Sequence, residues 1–260
     1  MSIDALIVVG GNGTLSATSG LYSKGLPVVG VPKTIDRDVY GTDYTIGFSS
    51  AVQLNRFLIN DVRHTASSHN VTHVVQVMGR DVGHLALHSG KRLAGIILIP
   101  EYAYSLDQVV SRLEERREKT AYDIIVCAEK AYPRDEEDCR RIKEFLSNEE
   151  TKPYFSIGQY LSERLKRLTG FEIKSTKFDY VQRGAPTNEF DKERGEMFGV
   201  AAVQLVFQEQ FGEMVSIENG EVTHNPLSVV PTKINNVKID KEYDTEKLQA
   251  QRLGLGTITY

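Results

Sequence analysis

Five short apolar runs, each bounded by glycine or proline, constrain the fold of this chain more than any other feature. The runs are rich in β-branched residues and do not alternate with polar ones, which is typical of strands buried on both faces of a parallel sheet. They are Ala5–Val9, Pro27–Val31, His73–Val77, Gly95–Ile99 and Asp123–Cys127. Helical patterns lie between them, so the sequence predicts a doubly wound α/β protein.

The segments between and after these runs predict helices and one hairpin. The helical segments are Ser49–Asn60 running into Asp61–His69, Ser105–Glu118, Glu136–Leu146, Ile157–Leu168 and Asp191–Phe211. The pair Asn219-Gly220 between two β-prone runs predicts a late antiparallel hairpin. The polar stretch from about Asp240 predicts a surface helix and tail.

Composition excludes several classes of partner. The formal net charge is −4 and no basic stripe is visible, so we expect no nucleic-acid partner. No apolar run approaches the roughly 18 residues of a membrane span, so we expect no membrane partner. The two cysteines form no CxxC pair, which favours a reducing cytoplasm.

A glycine-rich segment, Gly10 to Thr14, follows the first apolar run and precedes a helical stretch. Glycines there let backbone N–H groups approach a phosphate, and a helix N-terminus favours negative charge. A tight strand-to-helix turn explains the same residues equally well. The spacing matches neither the dinucleotide fingerprint GxGxxG nor a Walker A loop.

Polar loops follow the other strand-like runs, where open α/β sheets bind their ligands. After the second run, Asp36 and Asp38 lie two residues apart with Lys33 and Arg37 interleaved. This set suits proton transfer and charge stabilisation, and it also suits a solvated charged turn. Three later loops carry residues suited to anions or hydroxyl groups: Met78-Gly79-Arg80, Ala128-Glu129-Lys130 and Tyr180-Val181-Gln182-Arg183-Gly184.

Taken in order, these segments resemble the motifs of bacterial-type 6-phosphofructokinases. The segments are IDALIVVGGNGT, VPKTIDRD, YGTDYTIGFSSA, TASSH, VVQVMGRD, YVQRGAPTNEFD and FGEMVSIENGE. The resemblance spans nearly the whole chain and is weakest from Tyr132 to Phe171. It implies two Rossmann-like lobes with mainly parallel sheets.

The resemblance implies a role for most of the loop residues. Asp36 would take the proton from the 1-hydroxyl of fructose 6-phosphate, with Thr34 beside it and Asp38 setting the charge environment. Arg80 would stabilise the transferring phosphoryl group, and Glu129 would bind sugar hydroxyls. The residues implied to contact the sugar phosphate are Thr34, Ile35, Asp36, Met78, Gly79, Arg80, Glu129, Lys174, Tyr180 and Arg183.

The resemblance also implies a phosphoryl donor and Mg²⁺. Asn12 and Asp38 would hold the metal. Gly13 leaves room for a nucleotide, and Lys33 is frequent in pyrophosphate users but also occurs in nucleotide users, so ATP is favoured over pyrophosphate. The residues implied to contact the donor are Gly10, Gly11, Asn12, Gly13, Thr14 and Lys33.

Several positions depart from the family pattern. Asn12 stands where the family usually has Asp, a stronger ligand for a hard cation. Arg37 stands between the two acids where the family has Asn, and it would lower the pKa of either acid by pairing with it. Val71 and Lys174 stand where the family has phosphate-binding arginines. Lys174 keeps the positive charge but lacks the forked guanidinium group.

The resemblance further implies that the chain is N-terminally truncated relative to the family and that its first lobe is incomplete. The phosphate-donor lobe would comprise residues 1–47 and 182–235, and the sugar-phosphate lobe residues 48–181 and 236–260. The absent segment would hold a first glycine-rich phosphate loop and supply an edge of the sheet. We expect a homo-oligomer, a dimer or tetramer, and a partner chain would be needed if the absent segment exists elsewhere.

The predicted function is transfer of a phosphoryl group from ATP to the 1-hydroxyl of fructose 6-phosphate, in glycolysis. The alternative is a catalytically impaired fragment or sugar-phosphate-binding subunit that needs a partner chain. A lipid or NAD kinase shares a similar glycine loop, but the M-G-R and Q-R-G motifs disfavour it. A dehydrogenase is disfavoured because GxGxxG and a ribose-binding acid after the second strand are missing.

Overall fold

The computed structural model describes residues 3–150, 152–238 and 257–259. The chain divides into two compact units, each an α/β structure with mainly parallel strands, as the sequence predicts. The first unit comprises Met1–Ala51 and Ala185–Asn236, and the second comprises Val52–Gly184 and Val237–Tyr260. No helix within the described residues is long and apolar enough to cross a membrane.

Strands and helices are numbered in chain order. The strands of the described residues are β1 Leu6–Gly10, β2 Val28–Pro32, β3 Thr72–Val77, β4 Ile96–Leu98, β5 Asp123–Ala128, β6 Ile173–Lys177, β7 Glu213–Glu218, β8 Glu221–Pro226 and β9 Thr257–Thr259. The α-helices are α1 Asn12–Tyr22, α2 Phe48–His69, α3 His84–Gly90, α4 Leu106–Arg117, α5 Glu136–Ser147, α6 Ile157–Thr169 and α7 Glu189–Phe207.

The first unit is built on a four-stranded sheet in the order β1-β2-β7-β8. The first three strands are parallel, and β7 and β8 form an antiparallel hairpin. Asn219 and Gly220 at its turn have φ of 53° and 88°, the left-handed values that a tight Asn-Gly turn requires. The predicted hairpin is therefore confirmed.

Strand β1 stands at the end of this sheet and is apolar on both faces. Ile7 and Val9 are 41% and 56% exposed, while β2 beside them is buried at every position. An edge strand that exposes both unpaired backbone groups and apolar side chains favours association with another strand.

The second unit is built on a five-stranded sheet in the order β6-β3-β5-β4-β9. Strands β3, β4, β5 and β6 run parallel, and β9 pairs antiparallel with β4. Both β3 and β5 are buried at all six positions, which suits their content of Val and Ile, and β3 also buries the polar residues Thr72, His73 and Gln76. The two strands pair in parallel, so their carboxyl ends lie side by side.

Local sequence signals set the helix boundaries of the second unit. Ser105 and Gln108 form a reciprocal capping box at the start of α4. The Ser156 side chain caps α6, and Gly170 ends that helix with φ of 70°. The two predicted helical segments from residue 49 to residue 69 form one continuous helix, α2.

One strand was not predicted from the sequence, and one predicted helix lies outside the described residues. Strand β6 was not predicted, because the sequence IKSTK lacks an apolar run and its positions 174, 175 and 177 are exposed at the sheet edge. The surface helix predicted from about Asp240 lies outside the described residues, and residues 257–259 form β9.

Candidate active site

The glycine loop of the first unit joins β1 to α1. A Cβ at Gly10 would lie 2.5 Å from the Thr14 Cβ, so that position has no room for a side chain, and one at Gly11 would make a tight contact of 3.2 Å with the Thr34 Cβ. A Cβ at Gly13 would meet nothing within 4 Å. The loop thus presents the N-terminus of α1 with its unpaired N–H groups, and no acidic side chain lies in the first helical turn. This is an arrangement that suits an anion.

The acidic loop follows β2 and lies against the glycine loop. The Lys33 backbone N–H donates to the Gly10 carbonyl at 2.8 Å. The Thr34 hydroxyl donates to Asp36 Oδ2 at 3.3 Å and accepts from the Asp36 backbone N–H at 3.2 Å. Asp36 and Asp38 are only 8% and 4% exposed, so both carboxyl groups are buried beside the glycine loop.

Arg37, between the two acids, turns its backbone into the left-handed region with φ of 57°. Its Nε donates to the Asp43 carbonyl at 2.8 Å, and its guanidinium lies 5.3 Å from the centroid of the Phe48 ring. These contacts anchor the side chain on the segment that follows the loop. That Arg37 pairs with Asp36 or Asp38, and lowers the pKa of that acid, stays a prediction.

Asp191, a buried carboxylate in the first turn of α7, organises the segment that supports the acidic loop. It accepts hydrogen bonds from the Tyr44 hydroxyl at 2.7 Å, the Gly47 N–H at 2.8 Å and the Ser50 N–H at 2.7 Å, and also from the Ser50 hydroxyl. Burial raises the pKa of Tyr44, and the bond to Asp191 raises it further.

The segment fixed by Asp191 reaches the acidic loop through two contacts. The Thr45 hydroxyl donates to the Thr34 carbonyl at 2.8 Å, and Lys33 forms an isolated β-bridge with Ile46. Asp191 is therefore a positioning residue for the Asp36 loop, acting through residues 44–50.

The Met-Gly-Arg loop of the second unit follows β3. Gly79 has φ of 145°, and a Cβ there would lie 2.5 Å from the Val82 carbonyl oxygen, so only glycine fits. The Oε1 atom of Glu129, at the end of β5, accepts from the Arg80 N–H at 2.6 Å and the Gly79 N–H at 3.2 Å. Among the described residues, Glu129 Oε2 accepts no hydrogen bond, which leaves it available to a hydroxyl group.

Gln182 connects this loop to the segment after β6. Its side chain is fully buried, and its Oε1 accepts from the Met78 N–H at 3.2 Å and from Asn55 Nδ2 at 3.0 Å. Its Nε2 donates to the Asp179 carbonyl at 3.0 Å. Gln182 thus joins the Met-Gly-Arg loop to the turn that carries the other predicted sugar-phosphate residues.

Tyr180 and Arg183 lie on that turn, a 3-10 segment over Asp179–Gly184. Both are exposed, and the Arg183 guanidinium lies 5.1 Å from the centroid of the Tyr180 ring. The stacked ring limits the freedom of the guanidinium while leaving its N–H donors in solvent.

Lys174 lies apart from these residues. It is opposite His73 in the register of β6 and β3, near the amino end of both strands, whereas Met78 follows the carboxyl end of β3. Burial, and then the charge of Lys174, lowers the pKa of His73. The structure does not bring Lys174 to the Met-Gly-Arg loop, and its contact with the sugar phosphate stays a prediction.

The predicted site residues therefore form two half-sites, each within one unit. In the first unit the glycine loop and the acidic loop meet, and in the second the loops after β3, β5 and β6 meet. The first half-site comprises Gly10, Gly11, Asn12, Gly13, Thr14, Lys33, Thr34, Ile35, Asp36 and Asp38. The second comprises Met78, Gly79, Arg80, Glu129, Tyr180 and Arg183.

The predicted magnesium ligands, Asn12 and Asp38, offer an amide oxygen and a carboxylate. Within the described residues no group of three or more His, Cys, Asp and Glu side chains suits a metal ion. Mg²⁺ commonly takes only one or two protein carboxylates and completes its shell with phosphate oxygens and water. The donor set therefore fits a magnesium ion bound together with a phosphate ligand.

Sequence reasoning missed three supporting residues: Asn55, Gln182 and Asp191. Gln182 and Asp191 both lie inside the YVQRGAPTNEFD segment, but their partners are 104 to 147 positions away in sequence. The sequence shows each of these positions as a polar residue, and the fold then shows that the residue is buried.

Comparison with known proteins gives a single family. Residues 1–206 match the family Phosphofructokinase. The chain is 38% identical over 243 residues to the ATP-dependent 6-phosphofructokinase of Spirochaeta thermophila, covering 92% of this chain and 66% of that protein. It is also 38% identical over 253 residues to the pyrophosphate–fructose 6-phosphate 1-phosphotransferase of Amycolatopsis mediterranei, covering 94% and 72%.

A solved structure shares the fold. The pyrophosphate-dependent phosphofructokinase of Nitrosospira multiformis superposes with a TM-score of 0.75 at 22% identity, covering 91% of this chain and 62% of that one. The chain thus spans about two thirds of the length of these relatives. The family match, the sequence identity and the shared fold agree, and the chain belongs to the phosphofructokinase family.

Proposed function

We propose that this chain carries a 6-phosphofructokinase-type phosphotransferase activity, moving a phosphoryl group from ATP to the 1-hydroxyl of fructose 6-phosphate. The observation that carries the proposal is the buried Asp36, hydrogen-bonded to Thr34 and set beside a helix N-terminus that suits a phosphate. Relatives named as 6-phosphofructokinases, at 38% identity, support the same chemistry.

The first half-site supplies the groups that the transfer step needs. Asp36 accepts the proton of the 1-hydroxyl as that oxygen forms a bond to the transferring phosphorus, and the bond from phosphorus to the leaving oxygen of the donor breaks. The N–H groups of α1 and the Lys33 ammonium stabilise the negative charge on the phosphate oxygens. Mg²⁺, held by Asn12 and Asp38 when bound, would neutralise part of that charge.

The second half-site recognises the sugar phosphate. The Oε2 of Glu129, which accepts no hydrogen bond from the described residues, suits a sugar hydroxyl, while Oε1 accepts from the backbone of the Met-Gly-Arg loop. Arg183 presents its donors to the 6-phosphate beside Tyr180, and Arg80 adds a second charge. These contacts fix the position of the substrate. Positioning, together with charge stabilisation, is the main contribution of a protein to phosphoryl transfer.

ATP is the favoured donor because the space around Gly13 is open. A Cβ built at Gly13 would meet no side chain within 4 Å among the described residues, which supports a donor larger than pyrophosphate at this position. Pyrophosphate is the second candidate, since relatives at equal identity are named for each donor.

The cellular setting follows from the activity. We place the reaction in glycolysis, in the cytoplasm, and expect a dimer or tetramer of identical chains. The exposed apolar strand β1 supports assembly with a further chain, because such an edge is costly to leave in water.

A sugar-phosphate-binding subunit without catalysis is the alternative, and two observations favour it. Asn12 supplies a neutral ligand where the family usually has Asp. Val71, at the position of a family arginine, is 5% exposed and carries no charge to offer a phosphate.

Turnover separates the two functions. We would measure formation of fructose 1,6-bisphosphate with Mg²⁺ and either ATP or pyrophosphate, with Asp36→Asn as the matched variant. The proposal expects turnover with ATP that Asp36→Asn lowers at least about a hundredfold. Turnover that persists in Asp36→Asn contradicts the catalytic role, and binding of fructose 6-phosphate without turnover supports the binding subunit.

A further inference from the structure

A pocket of about 260 Å³ lies in the second unit, at the end of α5 and the start of α6. Its walls combine three aromatic rings with two acidic side chains. The lining includes Phe145, Phe155, Tyr160, Glu150 and Glu163. No role in the proposed phosphoryl transfer falls to any of these residues.

The aromatic rings form a continuous wall. The centroids of Phe145 and Phe155 lie 5.9 Å apart, and those of Phe155 and Tyr160 lie 6.4 Å apart. The Tyr160 hydroxyl donates to Asp138, so this residue offers the pocket its ring rather than a polar atom. Phe145 remains 46% exposed, so its ring stays in contact with solvent.

The charge of the pocket is negative. Glu150 and Glu163 both line it, and none of the described lining residues is Lys or Arg. Neither glutamate forms an ion pair within the described part of the chain. The neighbouring cations are matched elsewhere, since Arg164 pairs with Asp138 and Glu137, and Lys152 pairs with Glu149.

The floor of the pocket is fixed before any ligand arrives. Ser156, which lines it, donates to Gln76 Oε1 of β3 at 2.8 Å and caps α6. The Gly158 N–H donates to the same oxygen at 2.9 Å. A pocket that is already ordered loses little entropy on binding.

We propose that this pocket binds a small organic cation, an alkylated ammonium group. The faces of aromatic rings attract such a cation, and alkyl groups on the nitrogen gain from contact with the apolar wall. The two carboxylates add attraction that a neutral ligand of the same shape does not receive. The volume suits a head group of a few carbon atoms rather than a nucleotide.

The test compares two compounds of nearly equal shape. Choline carries the charge, and 3,3-dimethylbutan-1-ol replaces its nitrogen by carbon. We would measure the binding of each to the full chain by ligand-observed NMR. The proposal expects choline to bind with millimolar or better Kd, and about fivefold to thirtyfold more tightly than the alcohol.

Two variants locate the site. Phe155→Leu keeps an apolar side chain and removes the ring, and Glu163→Gln removes one exposed charge without risk to the fold. Each is expected to weaken choline binding at least about threefold, while the control Glu193→Gln, at an exposed position of α7 in the first unit, leaves it unchanged. Equal binding of choline and the alcohol overturns the proposal, as do saturable binding of neither compound and choline binding that Glu163→Gln leaves unchanged.

Discussion

The two half-sites hold their functional residues by different means. In the first unit, hydrogen bonds from side chains hold the acidic loop. Thr34 bonds to Asp36, and the buried Asp191 fixes residues 44–50, which support the loop, through four hydrogen bonds. In the second unit, the Met-Gly-Arg loop depends on its backbone conformation as well, since Gly79 has a positive φ and the backbone N–H groups of the loop donate to the side chains of Glu129 and Gln182.

The difference follows from what each half-site presents. Asp36 and Asp38 are buried acids, and burying a charge is costly unless it is paired or hydrogen-bonded. Arg80 and Arg183 are exposed cations that need only a loop to aim them. We therefore expect substitutions in the first unit to act through stability and turnover, and those in the second through substrate affinity.

The largest effect is expected from Gly79→Ala. The new Cβ would lie 2.5 Å from the Val82 carbonyl at a φ of 145°, so the loop must change shape. We expect fructose 6-phosphate to bind about a hundredfold more weakly, measured by calorimetry, which corresponds to about 3 kcal/mol. The control is Gly195→Ala, which has open space in α7 and should leave affinity unchanged. Unchanged affinity in Gly79→Ala would show that the loop is not built on this backbone shape.

Asp191→Asn tests the side-chain network of the first unit. An amide brings N–H donors where a carboxylate oxygen accepts, so buried partners are left unsatisfied. We expect the free energy of unfolding to fall by about 2–3 kcal/mol, measured by urea denaturation.

Glu189→Gln is the control for that variant, since Glu189 lies in the same helical turn, is exposed and pairs with the exposed Lys192. It should change the free energy of unfolding by less than about 0.5 kcal/mol. Equal stability of both variants would mean that the Asp191 network does not support the fold of the first unit.

Glu129 offers a smaller and more selective test in the second unit. Glu129→Ala removes the acceptor for the Gly79 and Arg80 N–H groups, and we expect about tenfold weaker binding of fructose 6-phosphate. Glu129→Gln keeps an amide oxygen, so it should recover most of the affinity. If both variants lose the same affinity, the loss comes from removal of the negative charge of Glu129 and not from removal of the acceptor for the loop N–H groups.

The smallest expected effect is the pH dependence that His73 gives the second unit. Its pKa in the folded chain is lowered from the ordinary value of about 6.5, so below that pH the unfolded chain binds the proton more readily. The free energy of unfolding should therefore fall as pH drops through about 6.5.

The change is measured by urea denaturation at pH values on either side of that window. His73→Gln should remove this part of the pH dependence, while His69→Gln, at an exposed position, should not. A profile that His73→Gln leaves unaltered would assign the dependence to another group.

The sequence predicted the parts of the fold whose signal is local. Strands β2 and β5 were predicted to within one residue at each end, because strands buried on both faces need continuous apolar runs. The Asn219-Gly220 hairpin and the start of α4 at Ser105 were predicted from turn and cap chemistry. Strand β6 was not predicted, because an edge strand does not need a continuous apolar run.

The site was predictable as a set of loops, but the way those loops are held was not. Asp36, Arg80 and Glu129 were predicted to lie in loops after strands, and the structure has them there. Parallel strands present their carboxyl ends at the same edge of a sheet, which makes such loops predictable. Gln182 and Asp191 act on partners more than a hundred positions away in sequence, and no local pattern encodes such a pair. Lys174, assigned by resemblance alone, lies at the other end of its strand.

Binding of fructose 6-phosphate tests most directly the claim that the two half-sites have separate tasks. We would compare the intact chain, Asp36→Asn and Arg183→Ala by calorimetry in the absence of a phosphoryl donor. We predict that Asp36→Asn binds within about threefold of the intact chain, while Arg183→Ala binds at least about tenfold more weakly, since it loses a charged hydrogen bond to the 6-phosphate. Equal loss of affinity in both variants, or none in Arg183→Ala, would contradict it.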